Sequence, residues 1–130
     1  MIKSICLGTV QFGKDYGISN KNGQTEKKEV FRILDYCAKK GVKWLDTAEN
    51  YGESQIILGE YLKLNPNTFK IQSKIGTKST SSTLTTNFLK TLDQLNIDFL
   101  DSYLIHSYEK FVEEDDSFLD QLLKLKRNGS

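Results

Sequence analysis

Four short apolar runs suited to strands alternate along the chain with stretches of helical period. The strand-like runs are Ile5 to Leu7, Val42 to Leu45, Phe69 to Ser73 and Ser102 to Ile105. Regular alternation at roughly 30 residues per repeat predicts an α/β fold, a parallel sheet with right-handed crossovers and helices covering its outside. Each of the three later runs delivers an ionisable group at its C-terminal end: Asp46, Lys74 and His106, the one histidine of the chain. In a parallel sheet those ends share a face, so the three side chains should converge there, with Tyr51 beside them on the loop after Asp46.

The helical stretches carry matching signals. Thr25 should cap a helix from about Glu26 to Lys40, with Val30, Ile33, Leu34 and Cys37 on one buried stripe and Gly41 at its end. Ser54 should cap a second helix to Leu64, with Ile57, Leu58, Tyr61 and Leu62 inward, before Asn65-Pro66-Asn67 breaks it. Leu84, Phe88, Leu92 and Leu95 mark a third helix, and a last one spans about Ser117 to Arg127. The stretch from Thr9 to Ile18 is rich in glycine and aromatics and fits neither period, which predicts a loop.

A chain of 130 residues is one domain, spanning 1–130, with enough length to bury a core. Its net charge of +1 gives no electrostatic reason to bind nucleic acid or an anionic membrane. No run approaches the ~20 apolar residues of a membrane span and no signal-peptide h-region opens the chain, so a cytoplasmic protein is expected. Cys6 and Cys37 lie in apolar contexts without CxxC or metal-ligand spacing, which predicts buried, reduced thiols and no metal site. No GxGxxG follows the first strand and no P-loop is present, which argues against Rossmann and P-loop nucleotide sites. Four βα units are half of an eight-unit barrel.

The segment Asp46-Thr47-Ala48-Glu49-Asn50-Tyr51-Gly52-Glu53-Ser54-Gln55-Ile56-Ile57-Leu58-Gly59 closely resembles the aldo-keto reductase signature D-T-A-x-x-Y-G-x-S-E-x-x-L-G, with Gln55 where the family usually has glutamate. Leu7-Gly8-Thr9, Gln72-Ser73-Lys74-Ile75-Gly76 and Leu100-Asp101-Ser102-Tyr103-Leu104-Ile105-His106 match the family in kind and order, so the resemblance covers essentially the whole chain. It implies a (β/α)8 TIM barrel of which this chain is the N-terminal half, stopping where the family enters its fifth strand.

The resemblance further implies reduction of a small-molecule aldehyde or ketone with hydride from NADPH. Tyr51 would supply the proton, Lys74 would stabilise the phenolate, Asp46 would hold Lys74, and His106 would orient the substrate oxygen. Gly8, Thr9 and Val10 would approach the nicotinamide, with Asp46 at its ribose or amide edge, whereas most cofactor-holding groups of the family come from the second half. Trp44 and Phe12 are candidate apolar walls, and the aromatic loop Gln11 to Asn20 suits a sugar-like or other polar carbonyl ligand. A half-barrel alone would expose sheet edges at its first and fourth strands and apolar interior side chains, through which it could pair with a second copy. A catalytically silent half-barrel acting as a binding or assembly module is the competing reading.

Overall fold

The computed structural model describes residues 5–112 and 116–127. In chain order the elements are β1 (Cys6–Gly8), α1 (Val10–Gly13), α2 (Lys27–Lys40), β2 (Trp44–Asp46), α3 (Ser54–Leu64), β3 (Lys70–Ile75), α4 (Leu84–Leu95), β4 (Ser102–Ile105), α5 (Tyr108–Val112) and α6 (Asp116–Arg127). The strands form one parallel sheet in the order β1-β2-β3-β4, leaving β1 and β4 at its edges. The alternation of strand and helix therefore produces the expected layering.

Register sorts the side chains onto two faces, because neighbours in a parallel ladder point the same way and successive residues alternate. Leu45 and Ile71 turn to the helices, where they meet Val30 and Leu34 of α2, Leu58 and Tyr61 of α3, and Phe88 and Leu95 of α4 in the main core. Burying each such leucine or phenylalanine contributes about 1.5–3 kcal/mol. A smaller cluster of Ile75, Leu84 and Phe118 packs α6 against α4 and the C-terminal end of β3.

The other face was expected to be apolar and is instead mostly polar. Gly8 pairs with Asp46, Asp46 with Gln72 and Gln72 with Ser102, while Cys6 pairs with Trp44 and Trp44 with Lys70. Trp44 and Leu104 are its large apolar members, and the Lys70 ammonium lies 5.4 Å from the Trp44 ring centroid. The strands are thus mostly apolar toward the helices and mostly polar on the open face.

Several local expectations change. Cys6 belongs to the polar face and is exposed, and Cys37 is half-buried against the core, both as free thiols, so neither is fully buried. The region after β1 contains the short helix α1, and α5 follows β4; neither is long enough to show a period in sequence. Helix α2 has Glu26 rather than Thr25 at its N-cap position, and Thr25 instead donates its backbone amide to Gln11 O at 2.9 Å. Glu53, not Ser54, precedes α3 as its cap residue. Strand β2 includes Asp46, and β3 extends through Ile75, so both ionisable residues lie within their strands rather than just past them. Gly41 ends α2 with φ 83°, as its place in the sequence predicts. Among the described residues no helix is long and apolar enough to cross a membrane.

Candidate active site

The parallel register brings Asp46, Tyr51, Lys74 and His106 to the C-terminal rim of the sheet. Lys74 Nζ donates to Asp46 Oδ1 and Oδ2 at 2.6 Å each, to Thr47 O at 3.2 Å and to Tyr51 Oη at 3.3 Å. With 17% and 23% of the Lys74 and Asp46 side chains exposed, the pair is shielded well beyond an ordinary surface ion pair. The ammonium is also 4.9 Å from the Tyr51 ring centroid, but the shorter distance to Oη makes this a contact to the hydroxyl rather than to the ring face. Gln72, opposite Asp46 in the ladder, donates from Nε2 to Asp46 Oδ1 at 2.8 Å.

The His106 ring stands edge-on to Tyr51, with centroids 5.9 Å apart and planes at 82°. Its Nδ1 is buried and, among the described residues, has no hydrogen-bond partner. Burial first, then the Lys74 and Lys14 charges, hold its pKa below the ordinary 6.5, against an opposing pull from Asp46. The imidazole is therefore neutral at pH 7, with one ring nitrogen a donor and the other an acceptor.

A buried hydroxyl cluster fixes the loops behind this group. Thr9 donates its amide at 3.0 Å and its hydroxyl at 2.9 Å to Asp46 O. The Ser54 hydroxyl lies 3.0 Å from Thr9 O, 2.9 Å from Thr9 Oγ1 and 3.2 Å from Thr47 Oγ1. That use explains why Ser54 does not cap α3. Gln55 is buried and donates from Nε2 to Ser73 Oγ at 3.0 Å, so the position where the signature carries glutamate holds a neutral amide that needs no counter-charge.

Two glycines let the first loop touch the tyrosine loop. A Cβ on Gly13 would come 1.8 Å from Tyr51 O, and one on Gly52, where φ is +58°, would come 2.1 Å from Gly13 O. Only residues without a Cβ permit this approach.

Of the residues expected near a cofactor, Gly8 ends β1 with nothing within 4 Å of an added Cβ, so the sheet is open beside Asp46. Thr9 is fully buried with its amide and hydroxyl spent on Asp46 O, and Val10 is half-buried at the start of α1. Trp44 lies on the polar face two residues before Asp46, below the rim. Phe12 is 4% exposed and packs in the main core, which removes it as a wall of the site. Among the described residues no group of three or more His, Cys, Asp or Glu could hold a metal ion.

Sequence reasoning missed Gln72, Ser54 and Glu49. Gln72 had a usable signal, since it precedes Lys74 by two positions on the same strand face.

The model of the Aldo/keto reductase family matches residues 4–130. Norsolorinic acid reductase B of Dothistroma septosporum is 27% identical over 128 residues, an alignment that takes in 83% of this chain and 32% of that protein. A crystal structure from Pseudomonas aeruginosa, assigned as an aldo-keto reductase, is 28% identical with a TM-score of 0.80, covering 95% of this chain and 51% of that one. A Klebsiella pneumoniae aldo-keto reductase solved in complex with NADPH shares the fold at 19% identity and a TM-score of 0.70, covering 95% of this chain and 41% of that one. The chain thus spans about half the length, or less, of these relatives, and its four βα units are half of a (β/α)8 barrel. With a match over nearly all its residues and the signature side chains gathered at one rim, the chain belongs to the aldo/keto reductase family.

Proposed function

We propose that this chain carries the proton-transfer side of an NADP(H)-dependent reduction of an aldehyde or ketone to an alcohol. The observation that supports this most is the Lys74 ammonium held between the Asp46 carboxylate at 2.6 Å and the Tyr51 hydroxyl at 3.3 Å.

A bound nicotinamide supplies hydride to the carbonyl carbon. The residues present fit that end of the cofactor: the sheet is open at Gly8, and Asp46 stands next to it in the ladder with Gln72 and Lys74 on its carboxylate. As charge grows on the carbonyl oxygen, the Tyr51 O–H bond breaks and its proton passes to that oxygen. Lys74 then faces a phenolate, and its charge stabilises what the proton leaves behind. Asp46 keeps the ammonium aimed at Tyr51 and offsets its burial. Neutral His106 donates a hydrogen bond to the same oxygen and orients it. A positioned general acid contributes about 10²–10⁴ in rate, and one oxyanion donor about 10²–10³. The aromatic stretch Gln11 to Asn20 suits a sugar-like or other polar carbonyl compound as substrate.

Fluorescence titration of the 130-residue chain with NADPH tests the reading. Saturable binding is expected for autonomous catalysis. No saturation rules out autonomous catalysis by the 130-residue chain.

A further inference from the structure

The loop that carries Tyr51 is anchored by a residue that the signature leaves unspecified. Glu49 donates its amide to Lys74 O at 3.1 Å, continuing the backbone ladder beyond β2. Its carboxylate takes hydrogen bonds from three directions. Oε2 accepts from the Gly76 amide at 2.9 Å and lies 3.5 Å from Ser79 Oγ. Oε1 accepts from the Tyr103 hydroxyl. The fit is close, because a Cβ on Gly76 would come 2.7 Å from Glu49 Oε2 and 3.2 Å from Asn50 Oδ1.

Each contact lies one short step from a site residue. Glu49 precedes Tyr51 by two positions, Gly76 follows Lys74 by two, and Tyr103 precedes His106 by three. Tyr103 points to the helix side of the sheet, where its ring meets Phe88 at 5.2 Å between centroids, while Lys74 pairs with Leu104 on the opposite face. Burial, then the hydrogen bond to Glu49, pushes the Tyr103 phenol well above its usual range, so it remains a donor at every working pH.

We propose that Glu49 is a positioning residue for Asp46, Tyr51, Lys74 and His106: its carboxylate ties the loop before Tyr51 to the backbone after Lys74 and to the strand before His106. The proposal rests on the reading of these four residues as a proton-transfer site. Glu49 touches no reacting atom. It sets how far the Tyr51 hydroxyl stands from Lys74 and from the His106 ring.

His106 reports on this directly as the chain's one histidine. The groups that face it are Lys74 from β3, Asp46 from β2, Lys14 after α1 and the Tyr51 ring. Loss of the Glu49 carboxylate charge could only lower the His106 midpoint, so a raised midpoint on replacing Glu49 reports movement rather than a lost charge.

The test is a proton NMR titration of His106 in the 130-residue chain, together with ring-to-ring cross-peaks between Tyr51 and His106 and a thermal melt. Glu49→Ala is expected to raise the His106 midpoint measurably toward its ordinary value and to weaken the cross-peaks. Glu49→Gln keeps an acceptor oxygen for the Gly76 amide and should restore most of that shift. If Glu49→Ala does not fold, Tyr103→Phe deletes one hydroxyl and should move the midpoint in the same direction. A folded Glu49→Ala or Tyr103→Phe chain with the midpoint and cross-peaks of the unsubstituted protein overturns the proposal, whatever its melting temperature. These readouts use neither cofactor nor turnover, so absent NADPH binding would count against the reductase reading while leaving this test intact.

Discussion

Lys74 reaches along the sheet to place its ammonium 2.6 Å from both carboxylate oxygens of Asp46, although Asp46 is paired in the ladder with Gln72. The lysine crosses to the neighbouring strand for its counter-charge and still stands 3.3 Å from Tyr51 Oη. A cation in this setting stays close to the phenol because the acid beside it fixes its position.

That pairing predicts a measurable coupling. In a double-mutant cycle of Asp46→Asn and Lys74→Met, the stability losses should fail to add by about 1–3 kcal/mol, between the values for exposed and buried pairs. Denaturant unfolding of the four proteins measures it. Additivity within about 0.3–0.5 kcal/mol would mean that the two groups do not hold each other.

The close approach of the first loop to the tyrosine loop predicts that Gly13→Ala is costly. Its Cβ would enter the space of Tyr51 O, which stands 1.8 Å away, and backbone has to move. A loss of about 1–3 kcal/mol is expected in thermal or denaturant unfolding. The Tyr51 to His106 cross-peaks should weaken with it, and a substitution that leaves both unchanged would contradict the packing.

The depressed pKa of His106 predicts a pH dependence with a definite sign. In the unfolded chain the imidazole takes up its proton near 6.5, while in the folded chain it does so only at lower pH. Between the two values the unfolded state binds more protons, so stability falls as pH drops through that window and levels off below it. An NMR titration should find the midpoint below 6.5, with Lys74→Met and Lys14→Gln each raising it and Asp46→Asn lowering it. A midpoint at or above 6.5 contradicts the burial and charge pattern around the ring.

Much of this was legible in the sequence, for identifiable reasons. The alternation of strand and helix and the helix faces follow from period, strand order follows from the barrel that the signature implies, and Asp46, Lys74 and His106 announce themselves because each ends a strand-like run. The polar sheet face was less obvious, although Lys70-Ile71-Gln72-Ser73-Lys74-Ile75 alternates with the period of a half-buried strand. Helix α1 spans four residues, about one turn, which no periodicity can reveal. Caps were misjudged where a hydroxyl had a better partner: Ser54 spends its oxygen on Thr9 and Thr47, 45 and 7 residues away. Glu49 was invisible for the same reason, since Tyr103 lies 54 residues further along and only the folded sheet brings them together.

The central claim is that Tyr51 gives the proton, with Lys74 stabilising what remains. Carbonyl reduction at saturating NADPH by Tyr51→Phe, compared with the unsubstituted sequence in a form of the protein that turns over substrate, tests it most directly. Turnover should fall by about 10²–10⁴ or more with cofactor affinity nearly unchanged; equal turnover in the two proteins would contradict it.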